Sequence, residues 1–191
     1  RQRQMCIRDR DGPNGAYTVQ ADVTDTASVN AAFREIEGKF GPVEVLVANA
    51  GVTKDTLLVR MKEADFQDVI DTNLTGAFRV VQRATKGFMR LKHGRIIFIS
   101  SVVGYTGAPG QVNYASSKAG LVGMARAITR ELGSRGITAN VVAPGYIDTA
   151  MTHELSDEVK DNYLSMIPAQ RFGHVEEAVS YTHLTLPTIL L

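Results

Sequence analysis

Four apolar runs punctuate the chain, at Ala16 to Ala21, Val43 to Ala48, Arg95 to Ser100 and Ile137 to Ala143. Within them Val45-Leu46-Val47 and Ile96-Ile97-Phe98-Ile99 are continuous rather than alternating, the pattern of strands covered on both faces. Helical spacing fills the intervals. Val29, Ala32, Phe33, Ile36 and Phe40 recur at i, i+3, i+4, i+7 and i+11 behind an N-cap at Asp25. A longer stripe joins Phe66, Val69, Ile70, Leu74, Ala77, Phe78 and Val81, and another runs from Leu121 to Leu132. Strand and helix alternate along the whole chain, which predicts a doubly wound α/β fold with a parallel sheet and right-handed crossovers.

In such sheets ligands bind beyond the carboxyl ends of the strands. Each polar or glycine-bearing cluster falls at one of those ends: Asp22-Val23, Asn49-Ala50-Gly51, Ser101 and Pro144-Gly145 follow the four runs in turn. They are expected to line one crevice. Tyr114 and Lys118 enter it from the head of the next helix, and residues at i and i+4 share a helical face. A cation within about 4 to 6 Å lowers an acid's pKa by roughly 1 to 3 units. Tyr114 is therefore expected to exchange a proton nearer neutral pH than a free phenol, which titrates near 10. The plainer alternative is an amphipathic helix with a buried Tyr and a solvated Lys.

Composition narrows the partners. The 191 residues suit one domain, with 44% hydrophobic and 21% charged residues. A net charge of +1 gives no field that gathers nucleic acid, and no apolar stretch reads as a membrane-spanning helix. The single cysteine, Cys6, excludes an internal disulfide and points to a reducing cytosol. His93, His153 and His174 lack metal-ligand spacing, so no metal is expected.

Asn49-Ala50-Gly51, Asn73 within NLTGAF, Ser101, Tyr114-x-x-x-Lys118 and Pro144-Gly145-x-x-x-Thr149 resemble the short-chain dehydrogenase/reductase family. Within it GPVEVLVANAG, NLTGAFRV, ELGSRGITANVVAPGYIDT and IPAQRFG look most like the 3-oxoacyl-[acyl-carrier-protein] reductases. The resemblance implies a Rossmann-like sheet and NADPH-dependent reduction of a 3-oxoacyl thioester. Tyr114 would be the general acid, with Lys118 holding the nicotinamide ribose and lowering the phenol's pKa. Ser101 would hydrogen-bond the substrate carbonyl, and Asn73 would kink its helix and position a water in the proton relay. A satisfied core amide is the other reading of Asn73. Asn49, Ala50 and Gly51, with Asp22, Val23, Pro144, Gly145, Ile147 and Thr149, would contact the cofactor. An N-cap or turn role for Asp22 stays open. Lys92 and Arg135 match positions that grip acidic acyl carrier protein, although either can be an ordinary surface charge. Met151 to Phe172 resembles a substrate lid, and the stripes from Phe66 to Val81 and from Leu121 to Leu132 resemble tetramer-forming helices.

Both ends depart from the family pattern. The first two strands, their Thr-Gly-x-x-x-Gly-x-Gly phosphate loop and the closing strand find no counterpart. Residues 1–10 and 179–191 read as non-native, leaving 11–178 as a partial domain in which Ala16 to Ala21 has no neighbouring strand. An inactive fragment, or another short-chain reductase acting on an acyl-CoA, a sugar or a cyclic alcohol, is the competing expectation. NADPH rather than NAD comes from the resemblance alone.

Overall fold

The computed structural model describes residues 17–148, 157–175 and 177. Asp25 opens the first helix, α1 (Thr26–Phe40), where its carboxylate accepts the N–H groups of Ala27 and Ser28 that have no intrahelical acceptor. Then come β1 (Val45–Ala48), α2 (Glu63–Ile70), α3 (Gly76–Leu91) and β2 (Gly94–Ile99). The single-turn α4 (Val103–Thr106), α5 (Val112–Leu132), β3 (Ile137–Val142) and α6 (Asp157–Met166) complete the order. The strands form one parallel sheet, β1-β2-β3, with Leu46 beside Ile96 and Ile96 beside Ala139. The chain is thus an incomplete Rossmann-like α/β fold, as its alternating pattern predicts.

The core sits on the central strand. Ile96, Ile97 and Phe98 of β2 are buried, and burial stabilises each such side chain by about 1.5 to 3 kcal/mol relative to exposure. α3 packs on β1, β2 and α1, while α5 packs on β3, α4 and α2. Gly94 lets α3 return closely to β2, since a Cβ there would stand 2.4 Å from the Phe88 ring.

Three expectations fail in instructive ways. Tyr17 to Ala21 carries no strand, because a strand needs a hydrogen-bonded neighbour and none pairs with it among the described residues. β1 is covered on one face only: Val45 and Val47 remain 48% and 37% exposed on the edge of the sheet. The stripe from Phe66 to Val81 is not one helix. A π-helical turn at Asp71–Thr75 separates α2 from α3, and its wider winding rotates the face that follows. Ala77, Val80, Val81, Ala84 and Phe88 turn inward, leaving Phe78 46% exposed. Phe40, last of the α1 stripe, is also exposed and meets the Tyr17 ring edge-on at 5.5 Å. The two segments read as non-native lie outside the described residues.

Candidate active site

Each strand ends where the sequence places its chemistry: β1 runs into Asn49-Ala50-Gly51, β2 into Ser100-Ser101 and β3 into Pro144-Gly145. Tyr114 lies in the first turn of α5, with Lys118 one turn further on. Lys118 is only 4% exposed, and its Nζ donates to the Ile99 carbonyl at the end of β2 at 2.7 Å. Ser100 secures the same helix from beneath, its hydroxyl donating to the Lys118 carbonyl at 2.8 Å. α4 presses on α5 here. A Cβ on Gly104 would stand 3.0 Å from the Lys118 carbonyl carbon and the Ala119 nitrogen, so only glycine fits without displacement.

The phenol is not activated in the way its spacing to Lys118 suggests. Burial pushes the Tyr114 pKa above its ordinary value; a hydrogen bond with Ser101 pulls it down and the Asp55 charge adds to the rise. Burial also pushes the Lys118 ammonium down to about 8. The Nζ stands 5.6 Å from the centroid of the Tyr114 ring while bonded to Ile99. Desolvation outweighs the Ser101 contribution that opposes it, and Tyr114 holds its proton at neutral pH.

Asn73 occupies the middle of the π-helical turn and is fully buried. Its Oδ1 accepts from the Val52 N–H at 2.8 Å, while Nδ2 donates to the Val52 carbonyl at 3.0 Å and to the Ser117 hydroxyl at 3.1 Å. The side chain is thus a satisfied clamp on the loop after β1. That clamp holds Gly51 close: a Cβ there would lie 3.4 Å from Asn73 Oδ1 and 3.6 Å from Lys118 Nζ. The bond to Ile99 uses one of the three ammonium donors of Lys118. A side-chain-free wall facing spare cationic donors fits a ribose hydroxyl edge.

The remaining predicted contacts divide between two hollows rather than one crevice. Val23, Asn49 and Ala50 line a shallow dent of only about 10 Å³ with Gly76 and Val80. Val23 is itself core, and the Asp22 carboxylate accepts from both the N–H and the hydroxyl of Thr24, which is a turn role. Gly145 and Ile147 line a larger hollow of about 450 Å³ with Met166, the last residue of α6, and Ile167. Tyr146 stacks on Tyr163 of α6 at 4.2 Å. Thr149, Met151 and Leu155 lie outside the described residues.

Lys92 and Arg135 converge at the other end of the sheet. Lys92 caps α3 in the left-handed region just before β2, and Arg135 ends the turn before β3. Gly136, with φ of 74°, passes close enough that a Cβ would stand 2.6 Å from the Lys92 carbonyl oxygen.

Two buried residues escaped the sequence reading. Asn113 and Ser117 lie at i and i+4, in line with the buried Leu121 and Ala125 of α5. Small polar residues on an otherwise apolar stripe are the signal that marks them. Among the described residues, no cluster of His, Cys, Asp or Glu fits a metal, and no helix is long and apolar enough to cross a membrane.

Known proteins with this arrangement are consistent with one another. A model of the short chain dehydrogenase family matches residues 5–160. The chain is 53% identical over 177 residues, 91% of its own length, to the 3-oxoacyl-[acyl-carrier-protein] reductase MabA of Mycobacterium avium, and it spans 69% of that protein. It is 54% identical over 166 residues to MabA of Mycobacterium bovis, with 87% of this chain and 67% of the relative covered. It is 51% identical over 158 residues to the 3-oxoacyl-[acyl-carrier-protein] reductase FabG of Staphylococcus aureus (strain Mu50), with 83% and 64% covered. Ser101 at the end of β2 and Tyr114 on α5 beside a buried lysine, at the carboxyl edge of a parallel sheet, join these likenesses in one conclusion: the chain belongs to the short chain dehydrogenase family, whose cofactor is a nicotinamide.

Proposed function

We propose that the chain catalyses NADPH-dependent reduction of a 3-oxoacyl thioester on acyl carrier protein to the 3-hydroxyacyl form, in the cytoplasm. The observation that carries this reading is the gathering of Ser101, Tyr114 and the buried Lys118 at the carboxyl end of β2, with the phenol kept protonated by its burial. A nicotinamide, when bound, supplies the hydride. Tyr114 donates its proton to the substrate's carbonyl oxygen. The Ser101 hydroxyl hydrogen-bonds that oxygen as negative charge gathers on it. Lys118, with donors left beyond Ile99, holds the ribose hydroxyls across from Gly51. Asn73 keeps the Gly51–Val52 backbone in place for that contact. Asn49 and Ala50 line the adjoining dent, and Pro144, Gly145, Ile147 and Thr149 belong to the carboxamide side of the same cofactor site. Asp22 and Val23 take the adenine end.

Lys92 and Arg135, exposed and adjacent at the amino ends of β2 and β3, take the acidic carrier. Assembly into a homotetramer through α3 and α5 belongs to the same proposal, with the exposed Phe78 among the side chains it covers. The test follows NADPH oxidation with the same 3-oxoacyl group presented on carrier protein and on coenzyme A. Lys92→Glu with Arg135→Glu is expected to lower kcat/KM for the carrier-bound substrate at least tenfold and to leave the coenzyme A thioester unaffected. Equal use of both substrates, indifferent to charge reversal, would contradict the carrier-protein assignment.

A further inference from the structure

Three hydrogen bonds strap the loop after β1 to the segment leading into α5. The Thr56 N–H donates to the Gly110 carbonyl at 2.8 Å, Gln111 Nε2 to the Asp55 carboxylate at 2.7 Å, and Asn113 Nδ2 to the Lys54 carbonyl at 2.9 Å. Asn113 differs from the other two in being 0% exposed and in using both ends of its amide. Its Oδ1 accepts from the Tyr114 N–H at 2.8 Å. One side chain therefore ends on the loop and on the residue that bears the phenol. Lys54 is moored in turn, its ammonium contacting Asp65 at 3.0 Å and Asp68 at 2.9 Å on α2. At its near end the same loop is held by Asn73 through Val52.

We propose that Asn113 is a positioning residue: it fixes Tyr114 in register with the loop after β1, and so with the Gly51 wall opposite Lys118. The proposal rests on the reductase reading for its kinetic consequence and on geometry for the rest. The bond to Tyr114 alone would need only the amide oxygen, and Asn113 lies inside α5, one residue past its start, while Gln111 holds the cap position. The donation to Lys54 crosses 59 residues of sequence and does nothing for the helix end. Its effect is to close the loop over the phenol, which is buried and within the influence of Asp55 from that loop.

Asn113→Ser tests the strap, because a serine hydroxyl is too short to reach Lys54 yet keeps a small polar side chain at the second residue of α5. Asn113→Ala, which removes both bonds, serves as the second variant if Ser does not fold. Two readouts apply: ring-13C NMR titration of Tyr114, assigned with Tyr114→Phe, and the split of kcat from KM with a 3-oxoacyl thioester. With Asn113→Ser, the Tyr114 titration is expected to move down toward the ordinary phenol value as the loop and Asp55 withdraw and water enters. kcat is expected to fall at least tenfold while KM changes less than twofold. A folded variant with both the titration and kcat unchanged would overturn the proposal and leave Asn113 a local contact in the first turn of α5. Absence of turnover in the unmodified chain would count against the reductase reading, and the titration would then decide the positioning role by itself.

Discussion

Asn73 and Ser117 meet across 44 residues of sequence, the Asn73 amide donating to the Ser117 hydroxyl at 3.1 Å while that hydroxyl donates to the Tyr114 carbonyl at 2.7 Å. A single buried oxygen thus joins the π-helical turn to the helix that carries Tyr114. Ser117→Ala would leave an Asn73 N–H buried without an acceptor, which costs about 1 to 3 kcal/mol. Urea unfolding of the variant is expected to show that loss. An unchanged midpoint would mean that Asn73 finds another acceptor and that the link is not structural.

Lys118 gives stability a definite dependence on pH. Folded, it titrates at about 8; unfolded, at about 10.4. Below pH 8 the cost of burying the ammonium is fully present. Between the two values the unfolded chain binds a proton that the folded chain has lost, so stability rises with pH, by on the order of 2 to 3 kcal/mol. Tyr114 acts in the opposite direction. Its folded pKa is raised, so above about pH 10 the unfolded phenol ionises first and stability falls. Unfolding measured at pH 7 and 9.5 is expected to show the rise, with the rise absent in Lys118→Met, and the Tyr114 loss is expected to oppose it only above about pH 10. The same rise in both proteins would remove Lys118 as its cause.

Gly104 holds α4 against the backbone of Lys118 and Ala119. Its replacement by Ala forces a methyl to 3.0 Å from that backbone, a close contact that a helix pair relieves only by moving apart. Gly104→Ala is expected to destabilise the chain by about 1 to 3 kcal/mol, the usual cost of overpacking. Because Ser101 lies two residues before α4 and its hydroxyl accepts from the Val103 N–H, the variant is also expected to weaken turnover more than cofactor binding. A stability within 0.5 kcal/mol of the parent, as measured by calorimetry, would show that α4 is free to shift (about the scatter of surface substitutions).

The sheet was legible where the chain repeats a local rule. Ile96 to Ile99 is a continuous apolar run between two partner strands, and Ile137 to Val142, where Thr138 and Asn140 alternate with apolar residues, pairs with it. Tyr17 to Ala21 alternates in the same way as Ile137 to Val142 and still forms no ladder, because pairing is a property of the neighbour and not of the run. The π-helical turn was hidden for a related reason: Asn73 stands on the apolar stripe, and the extra residue shows only when Phe78 turns out and Val80 turns in. The positions of Ser101, Tyr114 and Lys118 followed from the family motif and strand-end logic. Their electrostatics did not, since the depth of Lys118 and its bond to the Ile99 carbonyl arise from the packing of α5 on the sheet. Asn113 and Ser117 carried a signal, polar side chains on a buried stripe, that a search for charged or nucleophilic groups passes over.

Tyr114→Phe tests the central claim most directly, because it deletes only the phenolic oxygen from a half-buried ring. NADPH oxidation with a 3-oxoacyl thioester should fall by at least a hundredfold, within the range of about 10² to 10⁴ that general acid catalysis supplies. NADPH binding, followed by fluorescence, should change less than threefold. Loss of turnover with binding retained is the result this account predicts; turnover that survives in the phenylalanine variant would contradict the assignment of Tyr114 as the proton donor.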